Sequence, residues 1–282
     1  MTLIEIRNLS FKYAGAQKHA IYEANLDIEK GDFVLIVGPS GGGKSTLCRC
    51  MNGLIPQFYV GEYSGQVLVD GHDAAKTPTY ILSQIVGMVF QNPQNQLFAL
   101  SVEADVAFPL ENLGLPREEI KARVDEVLAA LNIEHLRERS PFELSGGQQQ
   151  RIAIASVLAM KPKIIILDEP TSFLDPVSSL GLFNLIDDIR KKLGLTIILV
   201  EHRVDLAASR ANKIVVVADG KIVFHGNPRD FFKQYDPHVF GVSYPKVTLL
   251  SRKIKNVVKD WNMLCLSGDE FENEVRRLVS RV

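Results

Sequence analysis

Residues 33–45 constrain the fold of this chain more than any other stretch. The apolar run Phe33-Val-Leu-Ile-Val37 has the length of a strand, and it leads straight into Gly38-Pro39-Ser40-Gly41-Gly42-Gly43-Lys44-Ser45. That octet has the spacing G-x-x-x-x-G-K-[S/T], in which glycines let successive backbone N–H groups converge on phosphate oxygens. A helix is predicted to begin at about Lys44, adding the positive end of its dipole to the same place. A plain turn between strand and helix has no need of Lys44 and Ser45 at those two positions. Residues 38–46, Thr46 included, therefore form a predicted phosphate cradle in an α/β fold: Lys44 would reach β and γ phosphates, and Ser45 would ligate magnesium.

A second apolar run, Ile164-Ile-Ile-Leu, ends in Asp168-Glu169, as expected of a buried parallel strand with two carboxylates at its tip. Carboxylates there are not packing residues. Asp168 can hold magnesium through water, and Glu169 can point at the water that attacks a γ-phosphate. Between the two runs lies Leu144-Ser145-Gly146-Gly147-Gln148-Gln-Gln-Arg151. Ser145 is a good N-cap, and Ile152, Val157 and Leu158 give the following helix an apolar face. A capped helix N-terminus is also an anion site, so the structural and the functional readings hold together.

These three segments, in this order, resemble the ATP-binding-cassette (ABC) family, and the likeness runs over most of the chain. It implies a P-loop NTPase core with a mixed sheet, an N-terminal antiparallel β subdomain, a helical signature subdomain at about 92–160 and a C-terminal helical extension. The nucleotide domain would span 1–228 and the extension 229–282. The resemblance also implies ATP and Mg2+ as cofactors. Ser145, Gly146, Gly147 and Gln148 would contact the γ-phosphate held by the opposite subunit, so one chain alone would own no complete active site. Tyr13 matches the aromatic residue that stacks on adenine. Gln91, after the apolar run Ile85–Phe90, matches the Q-loop glutamine whose amide oxygen ligates magnesium, while the loop beyond it faces a membrane partner. Asp175 falls in the D-loop segment Ser172-Phe-Leu-Asp175, where Phe173 is bulkier than the residue usual there. His202 follows the strand candidate Leu195–Val200, at the sheet edge where open α/β folds place ligand contacts, and is expected to touch the γ-phosphate. Glu201 stands where a hydroxyl residue is usual.

Within the family, Gln91-Asn-Pro, Asn95-Gln-Leu-Phe98, Val102–Phe108 and Glu111–Pro116 resemble the ATPases of energy-coupling-factor importers. That likeness implies three partners: a second ABC ATPase subunit, in a homodimer or a heterodimer, a transmembrane coupling protein and a substrate-capturing membrane protein. The cargo would be a vitamin or a transition-metal ion. The alternatives are the ATPase of an importer served by a binding protein, and a soluble ABC ATPase acting on nucleic acid or ribosomes. The net charge of −1 argues against nucleic acid, because phosphate neutralisation supplies most of such affinity. A metabolic kinase would leave residues 144–148 unexplained.

Three cysteines, with no paired C-x-x-C spacing, fit a reducing cytoplasm, and Cys48 and Cys50 read as small buried thiols. The start of the chain shows no basic leader, and nowhere do about 18 apolar residues run together, so the expected place is the cytoplasmic face of the cell membrane, peripherally. Asp219-Gly220 predicts a hairpin between Lys213–Ala218 and Lys221–His225. Further on, Leu250, Ile254, Val257, Val258 and Trp261 predict one apolar stripe, and Ser267 with Glu270 a capping box. Helices this short must dock on the main domain or on a partner.

Overall fold

The alternation that starts at Leu3 becomes an antiparallel sheet in a computed structural model that describes residues 1–258 and 260–280. In chain order the strands are β1 (Thr2–Tyr13), β2 (Ile21–Glu29), β3 (Phe33–Val37), β4 (Gly61–Val69) and β5 (His72–Asp73). They continue with β6 (Val86–Val89), β7 (Ile164–Asp168), β8 (Thr196–Val200), β9 (Lys213–Ala218) and β10 (Lys221–Gly226). The first sheet has the order β2-β1-β4-β5. Along β2, Ile21, Ala24, Leu26 and Ile28 are buried while Asn25 and Asp27 face out, which is what one covered face requires.

The second sheet runs β10-β9-β3-β8-β7-β6, with β9 through β6 parallel and β10 antiparallel at the edge. It is the mixed sheet expected. Every residue of β3, β6, β7 and β8 is buried, because a parallel sheet is covered on both faces. The period-2 pleat then divides each strand between two cores. Val34 and Ile36 of β3 join Phe11, Leu47 and Met51, between the two sheets. Phe33, Leu35 and Val37 join Val106, Leu128 and Phe183 on the other face.

That second face carries the helices Val102–Asn112, Arg117–Ala130, Gly146–Ala159 and Pro176–Leu193. In the helix Arg117–Ala130, Val124, Val127 and Leu128 are buried, as is Leu131 just beyond it. The register pairs Ile36 with Val200, Asp168 with Val200 and Val89 with Leu167, so four strands end together. Their continuations bring Gly38, Glu169, Glu201 and Gln91 to one edge of the sheet.

A buried carboxylate fixes the start of β3. Asp32 Oδ1 accepts from Asn212 Nδ2 at 2.7 Å, and Oδ2 accepts from Lys213 Nζ at 3.0 Å and Glu29 N–H at 2.9 Å. Asn212 in turn accepts from Phe33 N–H at 2.6 Å. Burial pulls the Asp32 carboxyl upward, but these donors outweigh it and the net direction is downward. Asp32→Ala is expected to cost about 2–3 kcal/mol in urea unfolding, the scale of hydrogen bonds to a charged group. Since the folded-state pKa lies below the unfolded one, the contribution is complete above about pH 4. It is lost as pH falls through the folded value, so parent and variant converge in acid.

The hairpin at Asp219-Gly220 forms, with both residues at positive φ (49° and 75°) as a type I′ turn demands. Beyond it, the helix Pro228–Gln234 drives Phe231 and Phe232 into the main core. The stripe predicted from Leu250 to Trp261 is not a buried face. The helix stops at Lys255, and Leu250 and Val257 are exposed. Its buried side is hydroxylic instead: Thr248 Oγ1 donates to Cys265 O at 2.7 Å and Ser251 Oγ to Met263 O at 2.7 Å, while buried Trp261 donates to Ser251 Oγ at 2.8 Å. Ser267 caps the helix Gly268–Val279, accepting from Glu270 N–H at 3.2 Å. The return half of the predicted box lands one residue early, Glu270 accepting from Leu266 N–H at 2.7 Å and pairing with Arg229.

Candidate functional site

The phosphate-loop sequence is needed by its surroundings as much as by a ligand. Gly38 sits at φ 142°, and a Cβ there would come within 1.9 Å of the Val217 carbonyl in β9. Gly43, at φ 109°, would meet Ala20 O at 2.3 Å. Neither position accepts a side chain, so the loop lies close against β9 and the β1–β2 connection. The helix Lys44–Met51 starts where predicted.

Lys44 folds back over the loop, its Nζ donating to Gly38 O at 3.0 Å and Pro39 O at 2.9 Å. Burial pulls its pKa down, while Glu169 and Asp168 pull it up; the net direction is down. Ser45 Oγ donates to Asp168 Oδ1 at 3.1 Å. Burial raises the Asp168 carboxyl, the Ser45 bond opposes that, and nearby Glu169 raises it further. A cation at this spot would relieve that penalty. Among the described residues no cluster of three or more His, Cys, Asp or Glu forms a metal cage. A hydroxyl beside one buried carboxylate instead fits magnesium, which takes few protein oxygens and completes its shell with phosphates and water.

Glu169 is the centre of the arrangement. It follows β7 at φ 48°, a left-handed conformation costly for a residue with a side chain, and its N–H is held by Val200 O at 2.9 Å. Its Oε2 accepts from Gln91 Nε2 at 2.7 Å and from Ser172 Oγ at 3.1 Å. Its Oε1 lies 3.0 Å from His202 Nε2. Three chain segments thus supply Gln91, Glu169 and His202 to one point, with Asp168, Ser45 and Lys44 beside it.

Tyr13 ends β1 next to the loop's helix. Its hydroxyl lies 3.2 Å from Thr46 Oγ1 and accepts from Arg49 at 3.3 Å, and its ring stands edge-on to Phe11 and Tyr59. Ser145 lies apart from the phosphate loop. It caps the helix Gly146–Ala159, its Oγ accepting from Gln148 N–H at 3.4 Å and its own N–H donating back to Gln148 Oε1 at 3.0 Å. Asp175 caps the helix Pro176–Leu193, accepting from Val177 and Ser178 N–H at 2.9 and 3.0 Å. The Ser178 hydroxyl bond, then these N–H donors, hold its carboxyl below the usual range.

Residues 21–172 match the ABC transporter family. The chain belongs to that family. The energy-coupling factor transporter ATP-binding protein of Clostridium perfringens is 41% identical to this ABC protein over 282 residues, 98% of each chain. The solved structure of cbiO1 from Clostridium perfringens, part of the ABC transporter complex cbiONQ, covers 91% of this chain and 98% of its own, with TM-score 0.76 and 35% identity. A dimeric ATP-binding cassette in a post-hydrolysis state with ADP and Pi covers 81% of this chain and all of its own, with TM-score 0.71 and 30% identity.

Reading the sequence missed two residues of this ABC site. Ser172 reaches Glu169, and Glu201, taken only as a departure from the usual hydroxyl residue, is buried and fully bonded. The one signal was a charged residue immediately after an apolar strand.

Proposed function

We propose that this chain is the ATP-hydrolysing motor subunit of an energy-coupling-factor importer, taking up a vitamin or a transition-metal ion. The convergence of Gln91 and His202 on Glu169, beside the Ser45–Asp168 pair, is the observation that carries the reading. Residues 38–46 bind the phosphates of ATP, with Lys44 neutralising charge and Tyr13 serving the adenine. Ser45, Asp168 and the Gln91 amide would hold Mg2+, whose chemistry would be to neutralise phosphate charge. Glu169 positions or deprotonates the attacking water, and His202 contacts the γ-phosphate. Ser145–Gln148 complete the pocket of an opposing subunit, with Asp175 at the seam.

No helix among the described residues is long and apolar enough to cross a membrane, so force must pass through a partner. A cavity of about 290 Å³ beyond Gln91, lined by Met88, Phe90, Phe98 and Phe108, supports docking of a transmembrane coupling protein at the cytoplasmic face. Nucleotide-binding domain 1–228 would do this work, and extension 229–282 would support the assembly. Solubilising membranes with the tagged chain and identifying what co-purifies tests the reading. A second ABC ATPase, an integral coupling protein and a membrane protein loaded with solute are expected. Recovery with ribosomes or nucleic acid in their place would overturn it.

A further inference from the structure

The three residues after β8 do more than present His202. Glu201, 3% exposed, accepts at Oε2 from Thr171 Oγ1 at 2.6 Å and at Oε1 from His202 N–H at 2.8 Å and Arg203 N–H at 3.1 Å. Arg203 reaches the other way, Nη1 donating to buried Ser179 Oγ at 2.6 Å and Nη2 to Leu174 O at 3.1 Å. Ser179 Oγ itself donates to Asp175 O at 2.8 Å. Residues 171–175 are therefore held at their start by Glu201 and at their end by Arg203. Both holders flank His202, and Ser172, inside the held stretch, donates to Glu169. Phe173 projects from the stretch, 65% exposed, between the pinned Thr171 and Leu174.

We infer that Glu201 and Arg203 are positioning residues that form a bracket locking the 171–175 loop in register with His202 and Glu169. This rests on the reading of Glu169 and His202 given above. A planar guanidinium suits the task because its fork can serve a carbonyl and a hydroxyl at fixed angles, and Glu201 suits it because one carboxylate can accept from a side chain and two successive N–H groups. None of the bracket atoms belongs to the phosphate loop, so the bracket should govern turnover without governing nucleotide affinity.

The test uses the full chain in its assembled state, measuring ATP affinity with a fluorescent analogue, kcat by phosphate release, and melting temperature. Thr171→Val and Arg203→Met are expected to keep affinity within about twofold while kcat falls about 10- to 100-fold, the scale of a small misplacement of reacting groups. Arg203→Lys, which retains a charged donor, is expected to lie between Arg203→Met and the parent. Thr171→Val is nearly isosteric and keeps the test decisive if Arg203→Met fails to fold. Parent-like kcat in both variants overturns the bracket, and so does an equal loss of kcat and affinity. With Glu169→Gln inert and the bracket variants at parent rate, only the bracket fails; with Glu169→Gln at parent rate, the reading of the site fails.

Discussion

Glu169→Gln is expected to bind ATP as tightly as the parent and to hydrolyse it about 10²- to 10⁴-fold more slowly, the usual cost of losing a general base. The replacement is nearly isosteric, so its effect is chemical. A glutamine oxygen at the Oε2 position can still accept from Gln91 Nε2 and Ser172 Oγ, the 2.7 and 3.1 Å partners of the carboxylate. Its amide can donate toward His202, whose ring nitrogen serves as donor or acceptor according to tautomer. What the amide cannot do is take a proton from water. Most of the phosphate-binding atoms lie on residues 38–46 and none on Glu169 itself, so affinity has little cause to change. Steady-state phosphate release and equilibrium nucleotide binding on the same preparation separate the two quantities. Turnover within tenfold of the parent would remove Glu169 from the chemistry. Blocked hydrolysis should also leave ATP bound, favouring by mass action whichever assembly binds it best, which size-exclusion chromatography with ATP can follow.

The parts of the site legible in the sequence are those whose signal is local. β3 and β7 read correctly because a short, unbroken apolar run fits little besides a strand covered on both faces, and the phosphate loop because its glycines and Lys44-Ser45 carry a fixed spacing. The type I′ turn was plain because Asp-Gly tolerates two successive positive φ values. Contacts between distant segments left no comparable mark. Glu201 and Thr171 are 30 residues apart, and Arg203 and Leu174 are 29 apart, so nothing near residue 201 told of the loop it holds. The same reason accounts for the C-terminal error. Counting apolar side chains favoured the face with Leu250, whereas the protein buries Thr248 and Ser251 because carbonyls 17 and 12 residues further on accept their hydroxyl protons. Hydrophobic periodicity cannot see a polar face that has been fully paired.

Mixing two inert proteins is expected to restore activity. Ser145→Arg and Lys44→Ala should each abolish turnover alone, the first by blocking the signature tip and the second by removing the phosphate lysine. In one chain the tip serves nothing nearby. Ser145 bonds only within its own cap, and Gly146 and Gly147 lie against Phe173 O and Leu174 rather than the phosphate loop. Their N–H groups donate to no other described residue, leaving a helix N-terminus open to an anion brought by another copy. In a symmetric pair, each site takes a phosphate loop from one copy and a tip from the other. A mixed pair then has one site with both defects and one with neither. Equal mixing makes half the pairs mixed, so about a quarter of parental turnover should return. Ser145 is exposed, so arginine fits without disturbing the core, and loss of the cap costs only about 1 kcal/mol. Both variants can therefore be checked for parental melting behaviour before mixing. Activity no higher than the sum of the separate proteins, with pairs demonstrably exchanged, would mean that each chain completes its own site.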